Sequence, residues 1–325
     1  MARPALCIVT PALADANNGN WQTAKRWAQM LSGQYRVRLR CAWPDGEDAD
    51  VLLALHARRS AASVAAWAQA HPDRPLVLTL TGTDLYKDIH DNADAQRSLE
   101  LAHRLIVLQA QGVAELPSSL RAKTRVLYQS STPRQTAVKT RKHLRVVMVG
   151  HLRDEKWPQV LWQAVQHIAP DEGICIDHIG KALDPALGDE AARVAREHPH
   201  YRWLGELPHA ATRQHIQRAH VLVHTSRIEG GAHVIMEAVL SGTPVLASRI
   251  SGNVGMLGED YPGYFAPGDA SALAHLLRLC RQTLSDPHSQ LAQLQRACEA
   301  RATLFLPARE QATLLAVVNE CLAAP

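Results

Sequence analysis

Short apolar runs alternate along the chain with stretches whose apolar residues return at helical spacing. The runs Leu6–Val9, Val51–Leu55, Leu76–Thr79 and Leu105–Leu108 predict buried strands, and Val126-Leu127-Tyr128 closes the first series. Between them Trp21–Leu31 predicts a helix, with Trp27, Met30 and Leu31 available to one face, and Ser63–Ala70 predicts another. A polar, basic stretch with Pro133 inside it, Ser130–His143, has the composition of a linker. The alternation then restarts. Strands are expected over Leu144–Val149, Ile174–Ile179, Tyr201–Gly205, Val221–His224 and Thr243–Ala247, and helices over Trp157–Ile168 and Asp184–Glu197. Two closing helices are expected near Asp269–Leu284 and Glu310–Leu322.

This order calls for an α/β chain of two doubly wound domains, each a mostly parallel sheet with helices on both faces. The expected boundaries are 1–135 for the first domain and 143–307 for the second, with a C-terminal helix at 308–325 packing back on the first. Two such halves facing each other place ligands in the crevice at the strand C-terminal ends. The loops Thr10–Asn20, Thr81–Asp84, Gly150–Lys156 and Thr225–Gly231 all follow predicted strands and so fall at such ends.

Composition narrows the classes. A chain of 325 residues that is 46% hydrophobic fills two cores, and a net charge of +4 is too small to imply nucleic acid. Its six cysteines form no C-x-x-C pair, which points to reduced thiols in a cytoplasmic protein and away from a zinc site. The chain opens on a strand-like run and carries no stretch long enough to span a bilayer, so neither a leader nor a membrane partner is expected.

The richest chemistry lies in Ser226-Arg227-Ile228-Glu229-Gly230-Gly231-Ala232-His233-Val234-Ile235-Met236-Glu237-Ala238. Gly230 and Gly231 allow a tight turn into a helix start, where backbone N–H groups favour an anion. Glu229 and Glu237 accept hydrogen bonds from sugar hydroxyls, and the two oxygens of Glu237 suit a ribose diol. Such a segment offers what a nucleotide-sugar needs. The same pair of carboxylates would also serve glycoside hydrolysis, although a hydrolase requires no anion seat. Upstream, Arg153 and Lys156 in Gly150–Lys156 are cations placed to stabilise a departing diphosphate; the plain alternative is a solvated charged loop.

In the first half, Asn17-Asn18-Gly19-Asn20 runs into a helix through Thr23, Lys25 and Arg26. Gly19, Asn20, Thr23, Lys25 and Arg26 would make a small-anion pocket; Asn20 as an ordinary cap beside two exposed cations explains the pattern equally well. Thr81-Gly82-Thr83-Asp84 with Lys87 forms a second polar loop, in which Asp84 is a general base or, more simply, a turn residue. Ser251–Gly258 is expected to be a glycine loop and lacks the order of a dinucleotide fingerprint.

The C-terminal half resembles the retaining-type glycosyltransferases with an E-x7-E motif, which have the GT-B architecture of two facing Rossmann-like domains and a cleft between them. Glu229 and Glu237 match the two acidic positions. The resemblance implies that Glu237 contacts the ribose and Glu229 the donor sugar or its phosphates. Lys156 matches the lysine that follows the first strand of the donor domain. His151 stands where the family's arginine is usual, and Arg153 takes over that role. A resemblance over nearly the whole chain links it to the selenosugar synthases of the selenoneine pathway. It rests on Asn18-Gly19-Asn20 with Thr23–Trp27, Leu80–Tyr86, Gly150–Lys156, Glu229–Ala232 and Gly252-Asn253-Val254-Gly255. It implies a donor site of Glu237, Gly230, Gly231, Ala232, His151, Gly252 and Asn253, a catalytic group of Lys156, Arg153 and Glu229, and an acceptor site of Gly19, Asn20, Thr23, Lys25, Arg26, Thr83, Asp84 and Lys87. The implied substrates are a UDP-sugar, UDP-N-acetylglucosamine first and UDP-glucose second, and selenophosphate. No cofactor and no metal is expected, and other enzymes of that pathway are conceivable partners. A conventional transferase using a hydroxyl acceptor and a silent nucleotide-sugar-binding module are the competing expectations.

Overall fold

The computed structural model describes residues 3–12, 19–43, 48–284, 286 and 288–323. Asn17 and Asn18, part of the first polar loop, lie outside them. The chain divides into two units, Met1–Gln129 with Pro307–Pro325 and Ser130–Leu306.

In the first unit β1 (Ala5–Val9), β2 (Arg36–Arg40), β3 (Val51–Leu55), β4 (Leu76–Leu80), β5 (Arg104–Val107) and β6 (Thr124–Val126) form one sheet in the order β2-β1-β3-β4-β5-β6. Every neighbouring pair is parallel. The central strands β1, β3 and β4 are buried at every position, as a strand covered on both faces must be. β2 departs from expectation because Arg36-Val37-Arg38-Leu39-Arg40 alternates arginine with aliphatic residues. It is the edge strand, with one row of side chains exposed, so it offers no apolar run to read. On one face Trp27 and Leu31 of the helix Gly19–Leu31 pack with Leu314, Val317 and Val318 of the helix Pro307–Ala323. On the other, Val64 and Trp67 of Ala61–Ala70 meet Ala95 and Leu99 of Ala93–Leu101.

The second unit repeats the plan. β7 (Leu144–Val149), β8 (Ile174–Ile179), β9 (Tyr201–Trp203), β10 (Val221–His224), β11 (Val245–Ser248) and β12 (Tyr264–Phe265) are parallel in the order β12-β11-β10-β7-β8-β9. Successive strands run outward from β7 to one edge and from β10 to the other. The order therefore reverses between β7 and β10, and the loops leaving these two strands flank the switch point where doubly wound sheets bind ligands.

Two local expectations change. Ser251–Leu257 is a helix rather than a glycine loop, ending on Gly258 at φ +100°. Residues 130–143 lack regular structure apart from a bend, but they are strapped to the second unit. Arg134 N–H donates to the Leu240 carbonyl at 2.8 Å, Lys139 Nζ to the Gly242 carbonyl at 2.9 Å and Gln217 Nε2 to the Gln135 carbonyl at 2.5 Å. Among the described residues no helix is long and apolar enough to cross a membrane.

Candidate active site

β7 ends at Val149 and its loop makes a single 3₁₀ turn, Asp154–Lys156, before Trp157 enters the left-handed region at φ 47°, ψ 57°. Pro158, whose fixed φ suits a first helical position, then starts the helix Pro158–Gln166. This reversal carries Lys156 back to the loop that leaves β10. Lys156 Nζ donates to Glu229 Oε1 at 2.5 Å, and the Lys156 carbonyl accepts from Thr225 Oγ1 at 2.8 Å. His224, the last residue of β10, sets its Nε2 3.2 Å from the same Glu229 oxygen. Burial alone would raise the Glu229 pKa. The Lys156 ammonium and the His224 ring overcome it and hold the carboxyl well below the usual carboxylate range. Burial pulls the His224 pKa down, against the opposing pull of Glu229, so the ring is neutral near pH 7.

Glu237 lies on the next helix, His233–Val239, and is almost fully buried. Its Oε1 meets His209 Nε2 at 2.6 Å and Arg213 Nη1 at 3.8 Å. Arg213 is itself buried, with Nη1 on Ser131 Oγ at 2.6 Å and Nη2 on the Thr132 carbonyl at 3.0 Å. The hydrogen bond to Glu237 raises the His209 pKa despite partial burial. Both glutamates therefore commit Oε1 to one cation and one histidine. Among the described residues the Oε2 atoms have no partner, on side chains 11% exposed for Glu229 and 10% for Glu237. An ionised carboxylate with an unoccupied oxygen is an acceptor for hydroxyl hydrogens.

The remaining predicted donor-side residues fall into two groups. Gly230, Gly231 and Ala232 lead into the helix, which begins at His233, two residues past the glycines. Ala232 N–H points at Met256 Sδ, 3.1 Å away. Gly252 lies so close to the motif that a β-carbon there would sit 2.1 Å from the Glu229 carbonyl oxygen. Asn253 is fully buried, its Nδ2 donating to the Ser248 carbonyl at 2.9 Å, and Ser248 Oγ donates to the Ser226 carbonyl at 2.6 Å. Asn253 thus braces the motif from behind. His151 is exposed and accepts the Lys181 N–H through Nδ1 at 3.1 Å; burial, then nearby cations, pull its pKa down against Glu206. Arg153 is half exposed with Nε 3.8 Å from Glu155 Oε2, and is not brought to Glu229 among the described contacts.

In the first unit the helix starts at Gly19, which puts Asn20 inside the first turn rather than at the cap. Thr23 is buried; its Oγ1 donates to the Gly19 carbonyl at 2.8 Å and accepts from Gln129 Nε2 at 2.6 Å. Arg26 Nε pairs with Glu310 Oε2 at 3.1 Å, while Lys25 and Lys87 are exposed. Asp84 is fully buried and pins its own turn, its Oδ1 accepting from Thr81 and Gly82 N–H at 2.8 and 2.9 Å and its Oδ2 from Ala57 N–H at 2.9 Å. Thr83 Oγ1 lies 3.2 Å from Nε2 of His56, a residue with φ 75°.

His224, His209 and Arg213 were missed. Only His224 left a signal, as a polar residue closing an aliphatic strand directly before the motif. Arg213 sits in His209–Arg218, a mostly polar helix whose sequence gives no reason to bury an arginine.

Comparison with known proteins adds the family. The structure of HepE from Anabaena in complex with UDP superposes with a TM-score of 0.75 at 16% identity, covering 97% of this chain and 100% of that one. Sucrose-phosphate synthase from Thermosynechococcus elongatus gives 0.74 at 16% identity, with both chains covered in full. The pneumococcal O-GlcNAc transferase GtfA in complex with UDP and GlcNAc gives 0.62 at 17% identity, covering 84% of this chain and 57% of that one. At such identities the likeness is one of fold, and the fold is GT-B. The family model described as glycosyl transferases group 1 matches residues 129–302, more than half of the chain and nearly the whole second unit, so the chain belongs to the group 1 glycosyl transferases.

Proposed function

We propose that this chain transfers a hexosyl unit, N-acetylglucosamine or glucose, from a UDP-sugar to selenophosphate. The bond between the anomeric carbon and the diphosphate oxygen breaks, UDP leaves with the electron pair, and selenium supplies the pair for a new carbon–selenium bond. The observation that carries the donor half is the pair of little-exposed glutamates at the switch point, each held through Oε1 and, among the described residues, without a partner on Oε2. Glu237 then takes the ribose and Glu229 the sugar. Lys156, drawn by the stronger charge of the diphosphate, stabilises the leaving group with Arg153. HepE, solved with UDP-glucose, and GtfA, solved with UDP and GlcNAc, support a UDP-hexose donor.

The acceptor half rests on the resemblance to selenosugar synthases and on the polar loops of the first unit. An ionised selenium is already a strong nucleophile. Such a reaction calls for positioning more than for a general base, which agrees with the use of Asp84 as a backbone pin. The reading invokes no metal, so turnover should survive a chelator. Its test is mass spectrometry after incubation with UDP-N-acetylglucosamine and selenophosphate. A selenium-containing sugar with equimolar UDP is expected. Transfer to hydroxyl acceptors alone would leave a conventional transferase, and absence of UDP binding would overturn the donor site.

A further inference from the structure

His224 stands beside the Lys156–Glu229 ion pair that the proposed reaction has to open. Glu229 is stabilised by Lys156 at 2.5 Å, yet the proposed reaction asks Lys156 to serve the diphosphate. If Lys156 were the sole partner, that move would abandon a buried carboxylate, which is strongly unfavourable. The carboxylate would protonate or swing away, and the sugar would lose its acceptor.

The second partner is built into the sheet. His224 closes β10, whose other residues, Val221, Leu222 and Val223, are aliphatic and fully buried. A histidine there costs desolvation, and its Nε2 lies 3.2 Å from the oxygen that Lys156 holds. The ring is neutral, because burial outweighs the pull of Glu229 and Lys156 adds to the effect. It therefore offers an N–H rather than a charge, one that makes no hydrogen bond while Lys156 holds the oxygen, and it does not compete with Lys156 for the diphosphate. The adjacent Thr225 fixes the Lys156 carbonyl at 2.8 Å, so of two consecutive residues one faces the carboxylate and the other holds the backbone of its partner. The Lys156 side chain is left free to turn while both anchors stay.

We infer that His224 is a positioning residue that keeps Glu229 ionised and oriented toward the sugar while Lys156 transfers its ammonium from Glu229 to the donor diphosphate. The inference rests on the UDP-sugar reading above and needs no particular acceptor.

The test compares UDP with UDP-N-acetylglucosamine, by calorimetry, on the wild-type chain and on His224→Leu and His224→Gln. UDP lacks the sugar that Glu229 would read. His224→Leu should bind UDP within about threefold of wild type but lose about tenfold for the UDP-sugar, the size expected for one buried hydrogen bond to a charged group. That loss should deepen toward acid pH, because Glu229, now facing only Lys156, protonates more readily. His224→Gln, which keeps an N–H donor, should recover most of the affinity. A purely structural role would weaken both ligands alike and would not be rescued. Should the leucine variant fold poorly, ¹⁵N-histidine spectra of the wild type serve instead: the His224 Nε2 resonance should shift with UDP-sugar and not with UDP. An unchanged preference between the two ligands, or an Nε2 resonance blind to the sugar, overturns the inference alone. Failure of the wild type to bind UDP at all overturns the donor reading with it.

Discussion

At the scale of single residues the second unit is organised around two carboxylates in different electrostatic settings. Lys156→Ala should lower turnover at saturating donor by about 10²-fold or more, as loss of a leaving-group cation does; steady-state UDP release measures it. The same variant tests the ion pair. Because the Glu229 pKa is depressed when folded, its contribution to stability is fully present above the ordinary 4.5 and is lost as pH falls through the lower folded value. The gap in melting temperature between wild type and Lys156→Ala should hold steady near neutral pH and narrow in acid. His209 behaves oppositely. Its pKa is raised, so its stabilising bond to Glu237 is complete below the ordinary 6.5 and is lost as pH rises through the elevated value. A histidine NMR titration should place its midpoint above 6.5, and Glu237→Gln should bring it back down. The acidic pair was legible because its spacing and glycines lie within one segment. The histidines and Arg213 were not, since their partners are 5 to 28 residues away in sequence and only packing brings them together.

Among the elements, the apolar central strands were legible because burial on both faces forces a continuous apolar run. What escaped were elements whose composition contradicts their state. The edge strand β2 alternates with arginine. The helix Ser251–Leu257 contains Gly252 and Gly255 and so resembles a loop, yet Gly252 is required by contact. With the Glu229 carbonyl 2.1 Å from where a β-carbon would go, Gly252→Ala must push the helix off the motif. It should lower the melting temperature by several degrees and raise the KM for donor more than it changes kcat. Residues 130–143 look like a linker because they are polar and basic, but Lys139 donates to Gly242 and Thr243 while Ser131 and Gln135 accept from Arg213 and Gln217.

For the whole molecule, the repeated parallel order of two six-stranded sheets was legible from the restart of one alternation. The return of the last helix to the first unit is held by a polar contact with no sequence motif. Glu310, with no solvent exposure, accepts from Trp27 Nε1 at 2.6 Å and pairs with Arg26. Glu310→Ala would leave a buried indole N–H and a guanidinium short of their acceptor, at a cost of about 2–4 kcal/mol. Denaturant unfolding followed by Trp fluorescence should register it.

That contact has a consequence for synthesis. Translation delivers Trp27 before, and Glu310 after, every strand of the second sheet. Nascent domains usually fold in the order they emerge. Here the earlier-made sheet waits, one hydrophobic side covered only by the helix Gly19–Leu31, until residues 307–323 clear the ribosome. Ribosome-stalled chains stopped before Pro307 should yield a protease-resistant later unit beside a digestible earlier one, and the half-covered side is a natural client for a chaperone during that interval.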